Sequence, residues 1–347
     1  MPPSGAGAPR RLNRPDGEAN VAVQTAAPAC WPGTASLTYN PDCCAHLVPP
    51  EAPMVHIQES ASGGIPRKPR DTELDVFGVT HVGKVRTQNQ DHFLIASLYK
   101  HLAIHQTSIP PESISANDTD RLAFLAMVAD GVGGSAGGEE ASRFALDGIT
   151  AYLTRSVDCY YSADLNDDSD FVHVLQEGAM RVHAKLTQRS TAGDRAGMAT
   201  TLTAFLGVWP RAYILQVGDS RYYTLRHDKL HQVSRDQTVA EELIAAGVIR
   251  RSDPGHDRWK HVLSSAIGGP EASPVVTAIE NDWYHVHLLC SDGLPKHVAD
   301  DQIAERLRTM TSSRQVCEAL LQDALDDGGT DNITILVGRA IPQAGSE

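Results

Sequence analysis

The sequence has few of the residues that several classes of protein require. Its 347 residues include six cysteines at irregular spacing and no CxxC pair, which argues against a disulfide scaffold and a structural zinc site. No run approaches the roughly 20 apolar residues of a membrane helix. Lys and Arg total 30 against 43 Asp and Glu, a formal charge of −13, and an acidic surface repels nucleic acid. We therefore expect reduced thiols, a cytoplasmic location, no membrane and no nucleic-acid partner.

Proline is distributed unevenly along the chain. Twelve of the 20 prolines precede residue 73, together with much alanine, glycine and serine, a composition that is typical of an unpacked segment. From about residue 73 the apolar residues fall into short runs separated by turns. We therefore assign 1–72 to an N-terminal extension, 73–341 to one folded domain and 342–347 to a tail.

The apolar runs after residue 73 predict a mixed fold. Six of them have the length and composition of strands, at 75–83, 124–130, 202–208, 212–219, 286–292 and 332–339. Amphipathic segments predict helices at 138–155, 170–186 and 312–329, the last with a Ser312 and Gln315 capping box and a closing Gly328. Helices and strands do not alternate strictly, which favours a layered α+β arrangement over a doubly wound parallel sheet.

Aspartates end or flank several of the predicted strands. They are Asp91, Asp130, Asp219, Asp292 and Asp331. One such residue is usually a turn former, but five converging carboxylates would repel one another unless a cation lay among them. Oxygen ligands without His or Cys suit Mg²⁺ or Mn²⁺ rather than zinc. A glycine after a ligating aspartate can offer its own carbonyl, and Arg86 supplies a partner for an anionic substrate.

Three further motifs suggest other chemistry, but their neighbours disfavour it. Cys290 resembles the nucleophile of a cysteine phosphatase, yet Lys296 replaces the expected arginine and Asp292 would oppose the phosphate. "GVGGSA" matches a loose dinucleotide pattern, but the charge of Asp130 directly precedes it. Ser220 in "GDSR" leads into a predicted hairpin rather than the helix that an esterase nucleophile needs. We interpret Cys290 as a packing residue and Ser220 as structural.

Six motifs in order resemble one protein family. "RTQNQD", "VADGVGGSAGGEEAS", "MATTLTAFL", "VGDSR", "LLCSDGL" and "GGTDNITILV" are similar to those of the metal-dependent serine/threonine protein phosphatases, the PPM or type 2C family, over about residues 77–339. The resemblance implies a four-layer α-β-β-α fold with a central antiparallel β-sandwich flanked by helices. It also implies two Mn²⁺ or Mg²⁺ ions and hydrolysis of phosphoserine and phosphothreonine by a hydroxide that bridges the ions.

The resemblance implies roles for individual residues of the domain. The family's metal ligands fall on Asp91, Asp130, the carbonyl of Gly131, Asp292 and Asp331, its phosphate-binding arginine on Arg86, and a ligand of a weaker third metal on Asp219. Residues 234–266 correspond to the family's mobile flap. Its basic residues, Arg250, Arg251 and Lys260, either contact substrate or form a solvated surface.

Two positions depart from the family pattern. Val132 stands where some members have a histidine with a general-acid role, so protonation of the leaving group would fall to water. Lys296 stands where the family commonly has an aspartate that helps to hold the third metal. Either the Lys296 ammonium partly replaces that ion beside Asp219, leaving two metals, or Lys296 is a solvent-exposed side chain without a role.

The resemblance predicts a bacterial-type phosphatase of phosphorylated proteins that opposes a Ser/Thr kinase. Two alternatives stay open at this stage. One is a regulatory or binding protein on the same fold without catalysis, which metal binding without turnover would favour. The other is a phosphatase of a small phosphorylated metabolite, which the comparison of peptide and metabolite kinetics would separate.

Overall fold

The computed structural model describes residues 67–99, 121–133, 137–156, 168–190 and 197–342. The chain divides into two units, Met1–Ser62 and Gly63–Glu347, and every described residue belongs to the second. Residues 1–66 of the predicted extension and residues 343–347 of the predicted tail lie outside the described residues. No helix within the described ranges is long and apolar enough to cross a membrane.

Residues 67–72, which composition assigns to the extension, pack on the domain. Arg67 forms an ion pair with Glu73 at 2.7 Å. Arg121 donates to the carbonyl of Pro69 at 2.8 Å, and Pro69 is buried. The packed part of the chain therefore includes these residues as well as those that follow Glu73.

The described ranges form eleven strands and six α-helices. The strands are β1 Leu74–His81, β2 Asp91–Tyr99, β3 Arg121–Val132, β4 Ala199–Thr200, β5 Leu202–Val208, β6 Arg211–Val217, β7 Arg221–Arg226, β8 Lys229–Gln232, β9 Val275–Glu280, β10 Val286–Cys290 and β11 Ile333–Ala340. The helices are α1 Gly137–Leu153, α2 Ser169–Ser190, α3 Val239–Ala245, α4 His256–Trp259, α5 Asp300–Arg308 and α6 Ser313–Asp326.

The strands form two sheets with antiparallel pairing. One sheet has the order β1-β11-β10-β7-β8, and the other has β2-β3-β5-β6-β9, with β4 beside β3. Three buried apolar clusters separate the layers: α1 and α2 cover one sheet, α5 and α6 cover the other, and the third cluster fills the space between the sheets. The predicted α+β fold with four α-β-β-α layers is therefore confirmed.

Alternation along the strands determines which side chains enter the space between the sheets. On β3, Met127 packs toward the helices whereas Ala126 and Val128 pack between the sheets. Because side chains alternate with a period of two, Asp130 continues the row that faces the other sheet. On β11, Thr334 likewise shares a face with Leu336. Both faces of these strands are buried, which explains their nearly continuous apolar sequences.

All six predicted strands and all three predicted helices are present, with boundaries shifted by a few residues. β2, the two-residue β4, β9, the short α4 and α5 are not among the predicted elements. The capping box of α6 is only half formed: Ser312 accepts from the Gln315 N–H at 3.1 Å, but the Gln315 side chain accepts from Thr311 rather than from Ser312. Gly328 has a φ of 128° after the helix, as expected of a closing glycine.

The predicted hairpin after Ser220 is confirmed. β7 and β8 pair through a two-residue turn in which His227 and Asp228 have φ values of 46° and 61°, as a type I′ turn requires. Ser220 is fully buried, and its hydroxyl lies 2.7 Å from the hydroxyl of Thr201. Its contacts tie the end of β6 to β5, which supports the structural interpretation.

Close backbone approach explains two glycines near the ends of the strands. A Cβ at Gly293 would lie 1.9 Å from the carbonyl oxygen of Asn332. One at Gly83, where φ is 81°, would lie 2.1 Å from the carbonyl oxygen of Asp331. Gly293 does not have a positive φ, so contact between the loops rather than a special turn requires glycine there.

We predict that Gly293→Ala destabilises the domain by about 3 kcal/mol or more, because the methyl group forces the backbone near Asn332 to move. Gly255→Ala is the matched control, since a Cβ there meets nothing within 4 Å, and it should cost less than about 1 kcal/mol. Urea unfolding of both variants measures the difference. Equal urea midpoints for the two variants would show that the loops near Asn332 can move apart with little loss of folding free energy.

Candidate functional site

Two of the predicted ligands are direct neighbours across a pair of strands. Asp91 begins β2 and pairs in register with Asp130 on β3. Residues directly opposite in an antiparallel pair project on the same face with Cβ atoms about 5 Å apart, and like charges there are destabilising. The pair therefore requires a cation or bound protons.

Hydroxyl groups from the other sheet orient the Asp91 carboxylate. Ser291 and Thr334 both donate to Oδ2 of Asp91, at 2.7 and 2.8 Å, and the Thr334 N–H donates to Ser291 Oγ at 2.9 Å. Asp91 is 3 % exposed, and its Oδ1 is buried without a hydrogen-bond partner. The hydroxyls thus hold one oxygen and leave the second free to bind something else.

Asp292 and Asp331 are already paired with basic side chains. The Lys296 ammonium lies 2.5 Å from Asp292 Oδ2 and 2.7 Å from Asp331 Oδ2. Arg86 makes two contacts with Asp331, Nε to Oδ1 at 2.8 Å and an Nη to Oδ2 at 3.0 Å. The predicted phosphate-binding arginine therefore lies on a predicted metal ligand, with 55 % of its side chain exposed.

Asn332 connects the loops that carry these residues. Its Oδ1 accepts from the Gln90 N–H at 2.8 Å, and its Nδ2 donates to the carbonyls of Val82 and Gln88 at 3.0 and 2.9 Å. Asn332 is 5 % exposed. Sequence reasoning missed Asn332, Ser291 and Thr334 as positioning residues; the only signal is that polar side chains adjoin the predicted ligands.

Burial and mutual repulsion raise the pKa values of three of the aspartates. Burial, opposed by the Ser291 and Thr334 hydrogen bonds and supported by neighbouring carboxylates, raises the pKa of Asp91 to about 6. Burial and the charges of nearby aspartates raise the pKa of Asp219 to about 8 and that of Asp130 well above its usual value. Without a metal ion, this part of the cluster reduces its charge by binding protons.

The pKa of Asp331 moves in the opposite direction. Burial alone would raise it, but the hydrogen bonds from Arg86 and Lys296 and the charge of Lys296 together lower it. Burial likewise disfavours the Lys296 ammonium, and contact with Asp292 and Asp331 outweighs burial and raises the pKa of Lys296. The negative charge of the cluster is therefore reduced in two ways, by bound protons in the half with the raised pKa values and by basic side chains at Asp292 and Asp331.

The donor set fits a hard divalent cation. Asp91 Oδ1 and Asp292 Oδ1 are both buried without a partner, and such oxygens suit Mg²⁺ or Mn²⁺. In the part of the chain that the structure describes, no group of three or more His, Cys, Asp or Glu side chains stands ready to hold an ion. Lys296 and Arg86 engage the remaining oxygens of Asp292 and Asp331.

Gly131 follows Asp130 on β3 in a crowded position. A Cβ there would lie 2.2 Å from the carbonyl oxygen of Gly138 and 2.8 Å from that of Gln90. Only glycine fits this contact with the start of α1. The role of the Gly131 carbonyl as a metal ligand stays a prediction.

Asp219 lies beside the other aspartates in a charged cleft. The cleft has a volume of about 290 Å³ and is lined by Asp219, Asp292, Lys296 and flap residues that include Arg251, Lys260 and His261. Asp219 is 8 % exposed. Arg250 is not among the lining residues, so the structure separates it from the two other basic residues of the predicted flap.

The interpretation of Cys290 as a packing residue agrees with the structure. Its side chain is fully buried on β10, and burial raises the pKa of the thiol to about 12. A thiol with this pKa forms almost no thiolate at neutral pH, and the thiolate is the nucleophile.

Similarity to known proteins identifies the family of this chain. A family model described as protein phosphatase 2C matches residues 112–328. The chain belongs to the protein phosphatase 2C family. It is 32 % identical over 235 residues to the serine/threonine protein phosphatase PstP of Mycobacterium tuberculosis, an alignment that covers 66 % of this chain and 43 % of PstP. The chain thus spans less than half the length of that relative.

A second relative and a solved structure extend the comparison. The serine/threonine phosphatase stp of Listeria welshimeri is 29 % identical over 239 residues, which cover 64 % of this chain and 87 % of stp. The crystal structure of the PstP catalytic domain in complex with two manganese ions has a TM-score of 0.57 and 27 % identity, and covers 78 % of this chain and 99 % of that one. The two ions are a property of that PstP domain.

We predict that Mn²⁺ affinity rises with pH and levels off above about pH 8. Protons occupy Asp91 and Asp219 below pKa values of about 6 and about 8, and an ion that uses these carboxylates must displace the protons. Isothermal titration calorimetry from pH 5.5 to 8.5 measures the affinity. In Asp219→Asn, the rise above pH 7 should become shallower; a rise unchanged in that variant would exclude competition at Asp219.

We predict that Asn332→Ala lowers the free energy of unfolding by about 2–4 kcal/mol, since it leaves the half-buried Gln90 N–H and two carbonyls without the partner that Asn332 supplies. Asn281→Ala provides the control, because the Asn281 side chain makes one hydrogen bond to the described residues, with His287 at 3.1 Å, and the substitution should cost about 1 kcal/mol. Chemical denaturation compares the two. A similar loss of stability in both variants would show that the hydrogen bonds of Asn332 between the loops add no more than an ordinary hydrogen bond.

Proposed function

We propose that this protein is a metal-dependent serine/threonine protein phosphatase that acts on phosphorylated proteins in the cytoplasm and opposes a Ser/Thr kinase. One observation carries the proposal: aspartates at the ends of separate strands meet at one edge of the sandwich, and two of their buried oxygens lack a partner. Membership of the protein phosphatase 2C family supports the same reaction.

The residues that would hold the ions come from both sheets. We propose Asp91, Asp130 and the Gly131 carbonyl from β2 and β3, and Asp292 and Asp331 from the loops beside β10 and β11. Mn²⁺ or Mg²⁺, when bound there, supplies Lewis-acid activation of water and positive charge for the phosphoryl group. Asp219 is the candidate for a further ion.

The protein itself supplies orientation and charge. Ser291 and Thr334 hold Asp91 so that Oδ1 stays free. The Arg86 guanidinium, now on Asp331, has the planar shape that binds two phosphate oxygens. We propose that Arg86 transfers from Asp331 to the phosphoryl group, because more than half of its side chain is exposed.

The leaving group receives its proton from water in this proposal. Val132, which replaces the histidine of some relatives, is 42 % exposed and has no proton to give. The cleft beside the aspartates is lined by charged side chains of the flap, including Arg251 and Lys260. Such a surface suits a polar phosphopeptide, which supports the protein substrate over a small metabolite.

A regulatory protein without catalysis is the second candidate. The observation that favours it is the pairing of Lys296 and Arg86 with Asp292 and Asp331, which engages two predicted ligands. Such a protein would use the same cleft to bind phosphorylated partners without hydrolysing them.

We predict Mn²⁺- or Mg²⁺-dependent hydrolysis of a phosphothreonine peptide, measured as released phosphate. Asp292→Asn should lower kcat/KM by about 100-fold or more, the usual effect of removing one preorganised charged group. Asp257→Asn is the control, because Asp257 is an exposed flap carboxylate that pairs with Lys260, and it should retain activity. Assays with small phosphate esters and with the peptide compare the two substrate classes.

Two results would contradict the proposal in different ways. A folded protein that binds Mn²⁺ but releases no phosphate with either ion would support the regulatory candidate. Hydrolysis of small phosphate esters with a much higher kcat/KM than the peptide would replace the protein substrate by a metabolite.

A further inference from the structure

The Lys296 ammonium lies inside the aspartate cluster. After β10 the chain makes one helical turn, in which the Lys296 N–H donates to the Asp292 carbonyl at 3.1 Å. This turn brings residue 296 back over residue 292, and the ammonium reaches Asp292 and Asp331 at 2.5 and 2.7 Å. With 22 % of the side chain exposed, Lys296 is not the solvent-exposed lysine that the sequence leaves open.

The other expectation places the Lys296 charge beside Asp219, and that charge does act on Asp219, where it opposes the rise in pKa that burial causes; the direct contacts of Lys296 lie elsewhere. Its hydrogen bond and ion pairs are with Asp292 and Asp331, which are predicted ligands of the two main ions. No ion pair or hydrogen bond joins it to Asp219 among the contacts of the described residues. Lys296 therefore contacts predicted ligands of the two main ions, so any effect that it has on metal binding is not limited to a third ion.

Basic side chains pair with the carboxylates of one half of the cluster and not with those of the other half. Lys296 and Arg86 together engage three of the four carboxylate oxygens of Asp292 and Asp331. Asp91 and Asp130 form no ion pair within the described ranges, and Asp91 Oδ2 is held only by uncharged hydroxyls. An incoming divalent cation therefore meets no paired basic side chain on the Asp91 and Asp130 side, within the described ranges, and a competing ammonium on the other side.

We propose that Lys296 is a built-in competitor for metal: a first divalent ion binds on the Asp91 and Asp130 side, and a second ion that uses Asp292 and Asp331 must displace the ammonium. This inference rests on the metal site of the proposed function. Competition by the ammonium lowers the affinity of the second position, so its occupancy depends on the concentration of free Mn²⁺ or Mg²⁺.

The test is Mn²⁺ binding to the full chain, by isothermal titration calorimetry and by electron paramagnetic resonance of free Mn²⁺. Wild type should bind one ion tightly and a second weakly. Lys296→Met keeps the length of the side chain without the charge and should tighten the weaker ion by about tenfold or more, because it removes a unit charge within a few ångströms of the ion.

Lys260→Met is the matched control. It removes the same charge from the same cleft, but the Lys260 ammonium pairs with Asp257 at 2.9 Å. Its effect on the weaker ion should be less than about threefold, since exposed charges are screened. Equal effects of Lys296→Met and Lys260→Met, or no effect of Lys296→Met, would overturn the inference.

A second readout covers the case in which the metal-free variant folds poorly. Removing Lys296 leaves Asp292 without its cation and Asp331 with Arg86 alone, so metal-free Lys296→Met should melt at a lower temperature than wild type. Saturating Mn²⁺ should then raise the melting temperature of the variant more than that of wild type, and Lys296→Gln should behave alike. An equal rise in all three proteins contradicts the inference.

The outcomes also separate the inference from the proposed function. If neither wild type nor any variant binds Mn²⁺ or Mg²⁺, the metal-dependent phosphatase itself is wrong. If wild type binds two ions with similar affinity and is active, the phosphatase stands and only the competitor role of Lys296 is excluded.

Discussion

Repulsion among carboxylates at one edge of the β-sandwich is the constraint on which the rest of the site depends. A buried carboxylate without a partner is costly, and Asp91 and Asp130 face each other directly across two strands. The protein relieves this repulsion in two ways: protons bind where the pKa values are raised, and Lys296 with Arg86 neutralises Asp292 and Asp331. Both the bound protons and the basic side chains reduce the repulsion within the cluster, and an incoming metal cation can displace either of them.

The two packed sheets explain how such an unfavourable arrangement persists. Asp91, Asp130 and Thr334 lie at the ends of apolar rows that fill the space between the sheets, so the packing of those rows positions the polar ends. Close backbone contact at Gly293 and Gly83 brings the connecting loops within reach of one another. Burial of the apolar rows thus supplies the free energy that offsets the repulsion within the cluster of like charges.

The sequence predicts the central elements well and the peripheral ones poorly. β3, β5, β6, β10 and β11 are buried on both faces, so their apolar runs stand out. β2 and β9 are edge strands with mostly partial burial, and they are absent from the predicted strands although their sequences, DHFLIASLY and VVTAIE, are as apolar as the runs that were predicted. α5 has nine residues, of which only Ile303, Ala304 and Leu307 are buried, too few to give a clear helical period.

The sequence by itself determined the fold class, the family and the identity of the acidic residues, because these depend on local patterns and on the order of motifs along the chain. It also revealed that a lysine replaces an aspartate at residue 296. Only the tertiary structure decided which carboxylates this lysine contacts, and that Ser291 and Thr334 hold Asp91. These partners are 200 and 243 residues from Asp91, and only the packing of the two sheets brings them within hydrogen-bond distance.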